Sequence, residues 1–425
     1  MTLTRIVKRI NRRVEGRRWF QLLAMFVAAW PGSLEAQAVH PPSPPTVRGA
    51  ASALAAGDLK GAETELHEIL KASPLDVHAM NLLGIVYAQQ KREPEAEALF
   101  KQAIALHPEF AGAEASLGLL YIQMAKYDLA VPPLEEALRL DPGREDARSA
   151  LLSARRGQAH GASDLGDLEK ALALLIEARR LNPDDAGVEY DLGMISLRMS
   201  LFPDAVTAFD HVLKVRPDDP QALYGLGRSK MALAKFDEAE QAFEKYVHLR
   251  PDDASGFYAL GFTLEALEHT AEAREEYEKS IVLEPQQTES YFHLGLISLE
   301  AGDLNRAQEK FERVLKRAPQ HAGALTGMGR IRFQQKQYPA AADFLKKAVD
   351  AQPKLREPHY YLGMVYARLG SKDNSEKELE TASQIEHEEV EHHQNVLTVL
   401  DPDQVHVPET QPTSKSAIRQ DTTNH

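Results

Sequence analysis

Phosphate-binding loops set glycines beside a lysine and a hydroxyl, and the stretch LYGLGRSK, Leu223 to Lys230, holds Gly225, Gly227, Arg228, Ser229 and Lys230 in that company. The chemistry this suggests is nucleotide binding. A phosphate loop, however, follows a strand and spaces its first glycine four residues from a Gly-Lys-Ser/Thr ending, and GLGRSK has neither property. The run HEEVEHH raises a second possibility, because His387, His392 and His393 together could gather a metal. They stand among glutamates near the end of a helical stretch, where a solvated charged face is the ordinary reading. No H-E-x-x-H, G-x-S-x-G or calcium-loop pattern occurs. Cysteine is absent, which excludes disulfides, thiolate zinc sites, iron–sulfur clusters and thiol nucleophiles. The expectation is therefore no catalytic residue, no metal, no cofactor and no enzyme activity.

The glycines of LYGLGRSK belong to a period. Gly84 and Gly118, then Gly193, Gly227, Gly261, Gly295, Gly329 and Gly363, recur at intervals of 34 within each run. Twelve residues after each comes a small side chain, Ala96 after the first, Ala341 and Ser375 after the last two. Four further on comes a bulky one, such as Phe100, Phe209, Phe243, Tyr277, Phe311 or Leu345. Prolines from Pro108 to Pro353 close the units. Glycine and the facing alanine let two helices cross closely, and the bulky residue plugs the gap to the neighbouring unit. Proline lacks an N–H and disfavours helix in the residue before it, so the second helix of each unit must stop there. In NPDD, RPDD and DPGRED an aspartate follows, placed to cap the next helix. No strand pattern is present.

These residue types at these offsets resemble the tetratricopeptide repeat, a helix-turn-helix of 34 residues. Two irregular units complete the count. Pro74, with Ala62 and Leu66 before it, marks a first repeat in which Ala50 replaces the glycine, and the unit between Pro142 and Pro183 measures 41 rather than 34. That fourth repeat, about 145–185, carries seven extra residues. Seven residues make almost two turns, so a longer first helix keeps its buried face in phase; the alternative is a hinge at Gly157, Gly161 and Gly166. Ten repeats over 46–389 are expected to form an all-α solenoid. The resemblance implies a right-handed superhelix whose concave wall is the first helix, helix A, of each unit.

The flanks differ in composition. Seven arginines and lysines among residues 1–18 precede the apolar run WFQLLAMFVAAW and the small-residue pattern AQA ending at Ala38. This reads as a secretion signal over 1–38, by the general or the twin-arginine route, and hence a periplasmic or otherwise extracytoplasmic protein. An uncleaved inner-membrane anchor is the alternative, although about a dozen apolar residues fall short of the roughly 20 a spanning helix needs. Residues 39–45 read as an extended lead-in and 390–425 as a polar, disordered tail. Without residues 1–38 the totals of 49 Lys and Arg and 63 Asp and Glu fall to 42 and 61, a balance of −19. Such acidity argues against nucleic acid as a partner.

Within helix A, the residue three places before each glycine is turned about 100° from the buried stripe of leucines. In the second half these residues are Tyr190, Tyr224, Tyr258, Phe292, Thr326 and Tyr360. Arg228 and Arg330 stand next on the same face, among apolar Met194, Phe262, Leu296, Phe333 and Met364. In the resembling family this face lines the groove. Aromatic anchors with arginines suit a peptide, because rings supply area at low entropy cost and guanidinium groups hold carboxylates. The rings could instead brace adjacent A helices with no ligand. The lysine and asparagine clamp and the asparagine ladder known in the family are unmatched, since Asn81 stands alone. The expected function is an exported scaffold that binds a protein segment and helps to assemble an envelope complex; the alternative is capture of a small molecule or glycan on the rings.

Overall fold

The computed structural model describes residues 45–399, and side chains as far as Glu388. Among the described residues every regular element is a helix. The chain divides into two compact units, the first ending at Lys245 and the second beginning at Tyr246. The expected signal, the lead-in before residue 45 and the end of the tail lie outside the described residues.

The first unit contains α1 (Val47–Ala55), α2 (Leu59–Ala72), α3 (Val77–Gln89), α4 (Glu93–Leu106), α5 (Ala111–Gln123), α6 (Tyr127–Leu140), α7 (Glu145–Asp164), α8 (Leu168–Leu181), α9 (Ala186–Arg198), α10 (Phe202–Val215), α11 (Pro220–Ala232) and the start of α12 (Phe236–Leu249). The second contains the rest of α12, then α13 (Ala254–Ala266), α14 (Thr270–Leu283), α15 (Thr288–Glu300), α16 (Leu304–Arg317), α17 (Ala322–Gln334), α18 (Tyr338–Ala351), α19 (Arg356–Arg368) and α20 (Lys372–Val399). Odd-numbered helices are the A helices and even-numbered ones the B helices of ten hairpins. The last helix runs on to Val399, ten residues past the expected end of the array.

The period of the sequence becomes the packing of each hairpin. A Cβ built on Gly84, Gly227 or Gly295 would stand 2.5, 2.7 or 2.6 Å from the ring of Phe100, Phe243 or Phe311, so only glycine admits the plug so close to helix A. The plugs from Leu66 through Phe100, Phe209, Phe243, Tyr277 and Phe311 to Leu345 are at most 1% exposed. Two of them are also clasped by the following hairpin. Gly225 and Gly327, two places before the repeat glycine, would put a Cβ 2.4 and 2.5 Å from Phe209 and Phe311.

Asp185, Asp219 and Asp253 cap their A helices through first-turn amides, as expected, and Asp76 caps its own in the same way. The aspartate of DPGRED does not. Asp146 forms an ion pair with Arg144 at 2.7 Å, and no side chain caps α7. The fourth repeat contains no hinge within helix A. Its extra residues lengthen α7 to 20 residues where α9 and α11 have 13. Gly157 lies inside α7, where a Cβ would meet the Tyr127 ring at 2.6 Å and only glycine lets that ring pack so close, and Gly166 takes positive φ in the turn after it.

Every A-to-B turn closes the same way. One residue takes positive φ, at positions 57, 91, 125, 166, 200, 234, 268, 302, 336 and 370. The residue after it donates its N–H to a carbonyl five back, as in Arg92 to Tyr87 at 2.9 Å and Lys126 to Tyr121 at 2.8 Å. This is the Schellman closure, normally built on glycine, yet glycine fills only Gly57, Gly166, Gly302 and Gly370.

Candidate peptide-binding face

In the first unit the ladder residues are Tyr190 on α9 and Tyr224 on α11. Each is half-buried and lies edge-on to the plug of its own hairpin, at 6.0 Å from Phe209 and 5.6 Å from Phe243. Burial, reinforced by Asp191 beside it, raises the Tyr190 hydroxyl above its ordinary range. In the second unit Tyr258 on α13 and Phe292 on α15 repeat the contact, at 6.0 Å from Tyr277 and 6.2 Å from Phe311. Tyr360 on α19 is 43% exposed and meets Tyr361 instead, at 5.4 Å. Thr326 interrupts the series: it is buried, and its hydroxyl donates to the Ala322 carbonyl at 2.8 Å. The rings are thus braced by their own B helices, and in the second unit also by the next A helix: Tyr258 lies 6.0 Å from the His293 ring, and a Cβ on Gly323 would stand 2.6 Å from the Phe292 ring. The contacts with the plugs are T-shaped in the first unit and tilted, at 42° and 48°, in the second; a T-shaped contact adds about 0.5 to 1.5 kcal/mol beyond area.

The two arginines differ. Arg228 is exposed and makes no ion pair among the described residues. Arg330 is engaged, because it bonds Glu357 of the next A helix at 2.9 Å and lies over the Tyr361 ring at 5.3 Å. It joins two helices, and its Nε is buried without a hydrogen-bond partner.

Two charged groups on the same faces escaped the sequence reading. In the first unit, buried Asp191 on α9 accepts from Arg156 Nε at 2.7 Å and lies 3.0 Å from His160 Nε2, both on α7. Burial pushes this carboxyl up, but the neighbouring histidine and arginine outweigh it and hold it below its ordinary value. Gly187 makes room, since a Cβ there would stand 2.8 Å from an Arg156 nitrogen. In the second unit, Glu265 on α13 accepts the Tyr277 hydroxyl at 2.7 Å and lies 2.8 Å from His293 Nδ1 on α15. The histidine contact is ionic in distance without the alignment of a hydrogen bond. Here too burial raises the carboxyl, and His293 with the Tyr277 hydroxyl lowers it further than burial lifts it. The His293 ring stacks on Tyr277 at 5.1 Å and 15°, and Phe262 meets it edge-on at 5.5 Å.

A signal for both was available. Asp191 and His293 fill the place, two before the repeat glycine, where Gly225 and Gly327 stand. Counting back twelve from Ala171 sets Ala159 in the glycine place of the fourth repeat, and Arg156 then falls on the ladder position. Tyr277 is the one plug with a hydroxyl among the fully buried plugs, and a buried hydroxyl demands an acceptor.

Among the described residues no group of three or more histidines and carboxylates is arranged to hold a metal, and no helix is long and apolar enough to cross a membrane.

Comparison with known proteins agrees with the period. Models described as tetratricopeptide repeat match residues 48–111, 190–254 and 224–288, and another of the same description matches 115–144. The model of the middle TPR-like domain of cilia and flagella-associated protein 70 matches 257–386. The human protein O-mannosyl-transferase TMTC3 is 40% identical over 81 residues, which is 19% of this chain and 9% of that protein. Anaphase-promoting complex subunit 3 of Schizosaccharomyces pombe is 27% identical over 137 residues, 32% of this chain and 20% of that one. The chain thus spans a fifth or less of the length of these relatives. Among solved structures, residues 41 to the end of MamA from Desulfovibrio magneticus RS-1 are 27% identical over 40% of this chain and 96% of that chain, with a TM-score of 0.39. The Cut9–Hcn1 complex of the anaphase-promoting complex is 14% identical over 79% of this chain and 92% of that chain, with a TM-score of 0.45. By its period, its plug packing and these model matches, the chain is a solenoid of tetratricopeptide repeats, all-helical among the described residues.

Proposed function

We propose that this protein is a non-enzymatic scaffold that binds a segment of a partner protein along the A-helix faces, and that it does so outside the cytoplasm, where it helps to assemble an envelope complex. The observation that carries the reading is the half-exposed rings of each unit, Tyr190 and Tyr224 in the first and Tyr258 and Phe292 in the second, each held against the buried plug of its own hairpin. A ring already held in one orientation loses little entropy when a partner covers it, which is how aromatic hot spots gain affinity. The relative from the anaphase-promoting complex is named as a subunit of an assembly, in keeping with such a role. Export rests on the basic and apolar composition of residues 1–38.

Site-specific photocrosslinking tests the binding. A photoreactive phenylalanine analogue in place of Phe262 should capture one protein species in the native cell, and adding Tyr258→Ala and Phe292→Ala, in the same unit, should abolish the product with helical content intact. Unchanged capture removes the ladder from the function. The mature chain should begin at Val39, and an intact Met1 in the exported fraction would contradict export with cleavage.

A further inference from the structure

Resting on that reading, we infer that the partner segment presents a lysine or arginine side chain to the A-helix face of α13 and α15, in the second unit. That face is made of rings and carboxylates. Tyr258, Phe262 and Glu265 come from α13, and Glu289, Phe292 and Glu300 from α15. Phe262 is 37% exposed, Glu289 and Glu300 are exposed, and no lysine or arginine lies on α13 or α15 at all. Phe292, Leu296 and Glu300 follow one another at intervals of four, so the ring and the last carboxylate share one side of the helix.

The same two helices show what such rings attract when a cation is within reach. One place before the ladder, on the side turned toward the B helices, Phe257 carries Lys279 at 5.8 Å, and Tyr291 carries Lys310 at 5.7 Å and Arg313 at 5.5 Å. Phe262 and Phe292 carry no lysine or arginine among the described residues. Their polar neighbours are Glu265, the imidazole rings of His293 and His321 at 5.5 Å and 4.8 Å from the two rings, and Glu289, 3.7 Å from His321. A ring face presents negative charge, and carboxylates beside it add to the attraction for a cation. The complement of this face is a positively charged side chain supplied by another chain, with its aliphatic stem laid along Phe262 and Leu296.

The test uses the full chain at pH 8 and physiological salt, with fluorescein-labelled decapeptides read by anisotropy: alternating Lys-Ala, alternating Glu-Ala and a neutral Phe-Ser-Gly sequence. The Lys-Ala peptide should bind and the Glu-Ala peptide should not. Phe262→Leu, which keeps apolar area and removes the ring face, should weaken binding by about three- to tenfold, and Glu300→Gln should weaken it by about twofold to fivefold. Glu272→Gln, on the exposed B-helix surface, should leave it unchanged. A loss from Glu272→Gln as large as that from Glu300→Gln, with none from Phe262→Leu, means attraction to the acidic protein as a whole, and overturns the inference. Binding of the neutral or acidic peptide in a Tyr258-dependent way, without the basic one, overturns the charge assignment and leaves the reading of the face standing. No binding by any peptide defeats both.

Discussion

The junction of the fourth and fifth repeats, in the first unit, and that of the seventh and eighth, in the second, depart from the array at the same place in opposite senses. In the first, the later helix supplies the carboxylate, Asp191, and the earlier one the Arg156 guanidinium and the His160 ring. In the second, the earlier helix supplies the carboxylate, Glu265, and the later one the histidine, His293. Both substitute for a glycine-like place that elsewhere clasps a plug. The scaffold is therefore carried by the glycine and plug geometry, which is alike in both units, while the polarity of the face is set by one or two positions per helix that the fold leaves open.

The most severe way to break that division is to test whether the plugs are equal. Phe209→Ala in the first unit and Phe311→Ala in the second each remove a fully buried ring held between two glycines. Each should cost about 3 to 5 kcal/mol in urea denaturation, and by similar amounts. A plug that could be truncated at little cost would show that its hairpins are held together by something other than the repeat packing.

The charged junctions should differ from the plugs and from each other. Asp191→Asn leaves the Arg156 guanidinium and the His160 ring without their carboxylate at a site where the Asp191 side chain is 10% exposed, and should cost on the order of 2 kcal/mol at pH 7. Glu265→Gln acts on a side chain 32% exposed, so solvent screens the loss to about 1 kcal/mol. Both carboxyls are held below their unfolded values. A depressed carboxyl gives its stabilisation fully above the unfolded pKa, about 4, and loses it as pH falls through the lower folded one. The difference between each variant and the parent should accordingly persist from neutral pH to about 5 and shrink below about 4. A difference that grew on acidification would place the stabilisation in some other interaction.

These junctions also mark how far the residues could be read without coordinates. The period of 34 specified the helices, the turns and the plugs, because each depends on one residue type at one offset: glycine under Phe243, alanine opposite it, proline after it. The long repeat was legible as an insertion of seven, but whether helix or hinge depended on Tyr127 packing over Gly157, a contact between residues 30 apart. The ladder positions were found by turning the helix 100° from its leucines. What Arg330 does was not, since its partners Glu357 and Tyr361 lie on the next A helix. Asp191 and His293 were missed because a period directs attention to what recurs, and they are the residues that do not.

The smallest expected effect lies in the turns, where both units meet the same backbone demand with unequal residues. Ala125 in the first unit and Glu268 in the second hold φ at 54° and 63°, a region that costs a side chain about 1 kcal/mol and glycine almost nothing. The Schellman closure around them is intact, with Lys126 and His269 donating to the Tyr121 and Leu264 carbonyls at 2.8 and 2.9 Å, so the strain is held by the packed helices on either side. Ala125→Gly and Glu268→Gly should each raise stability by less than about 1 kcal/mol, the unfolded chain's gain in freedom offsetting part of the relief. Gly302→Ala, at φ of 78° with open space around its Cβ, should lower stability by a similar amount, because only the backbone conformation opposes the methyl group. Equal shifts in the two units would place the turns with the plugs, in the shared scaffold. A gain confined to one unit would mean that the closure there bears on its charged face as well.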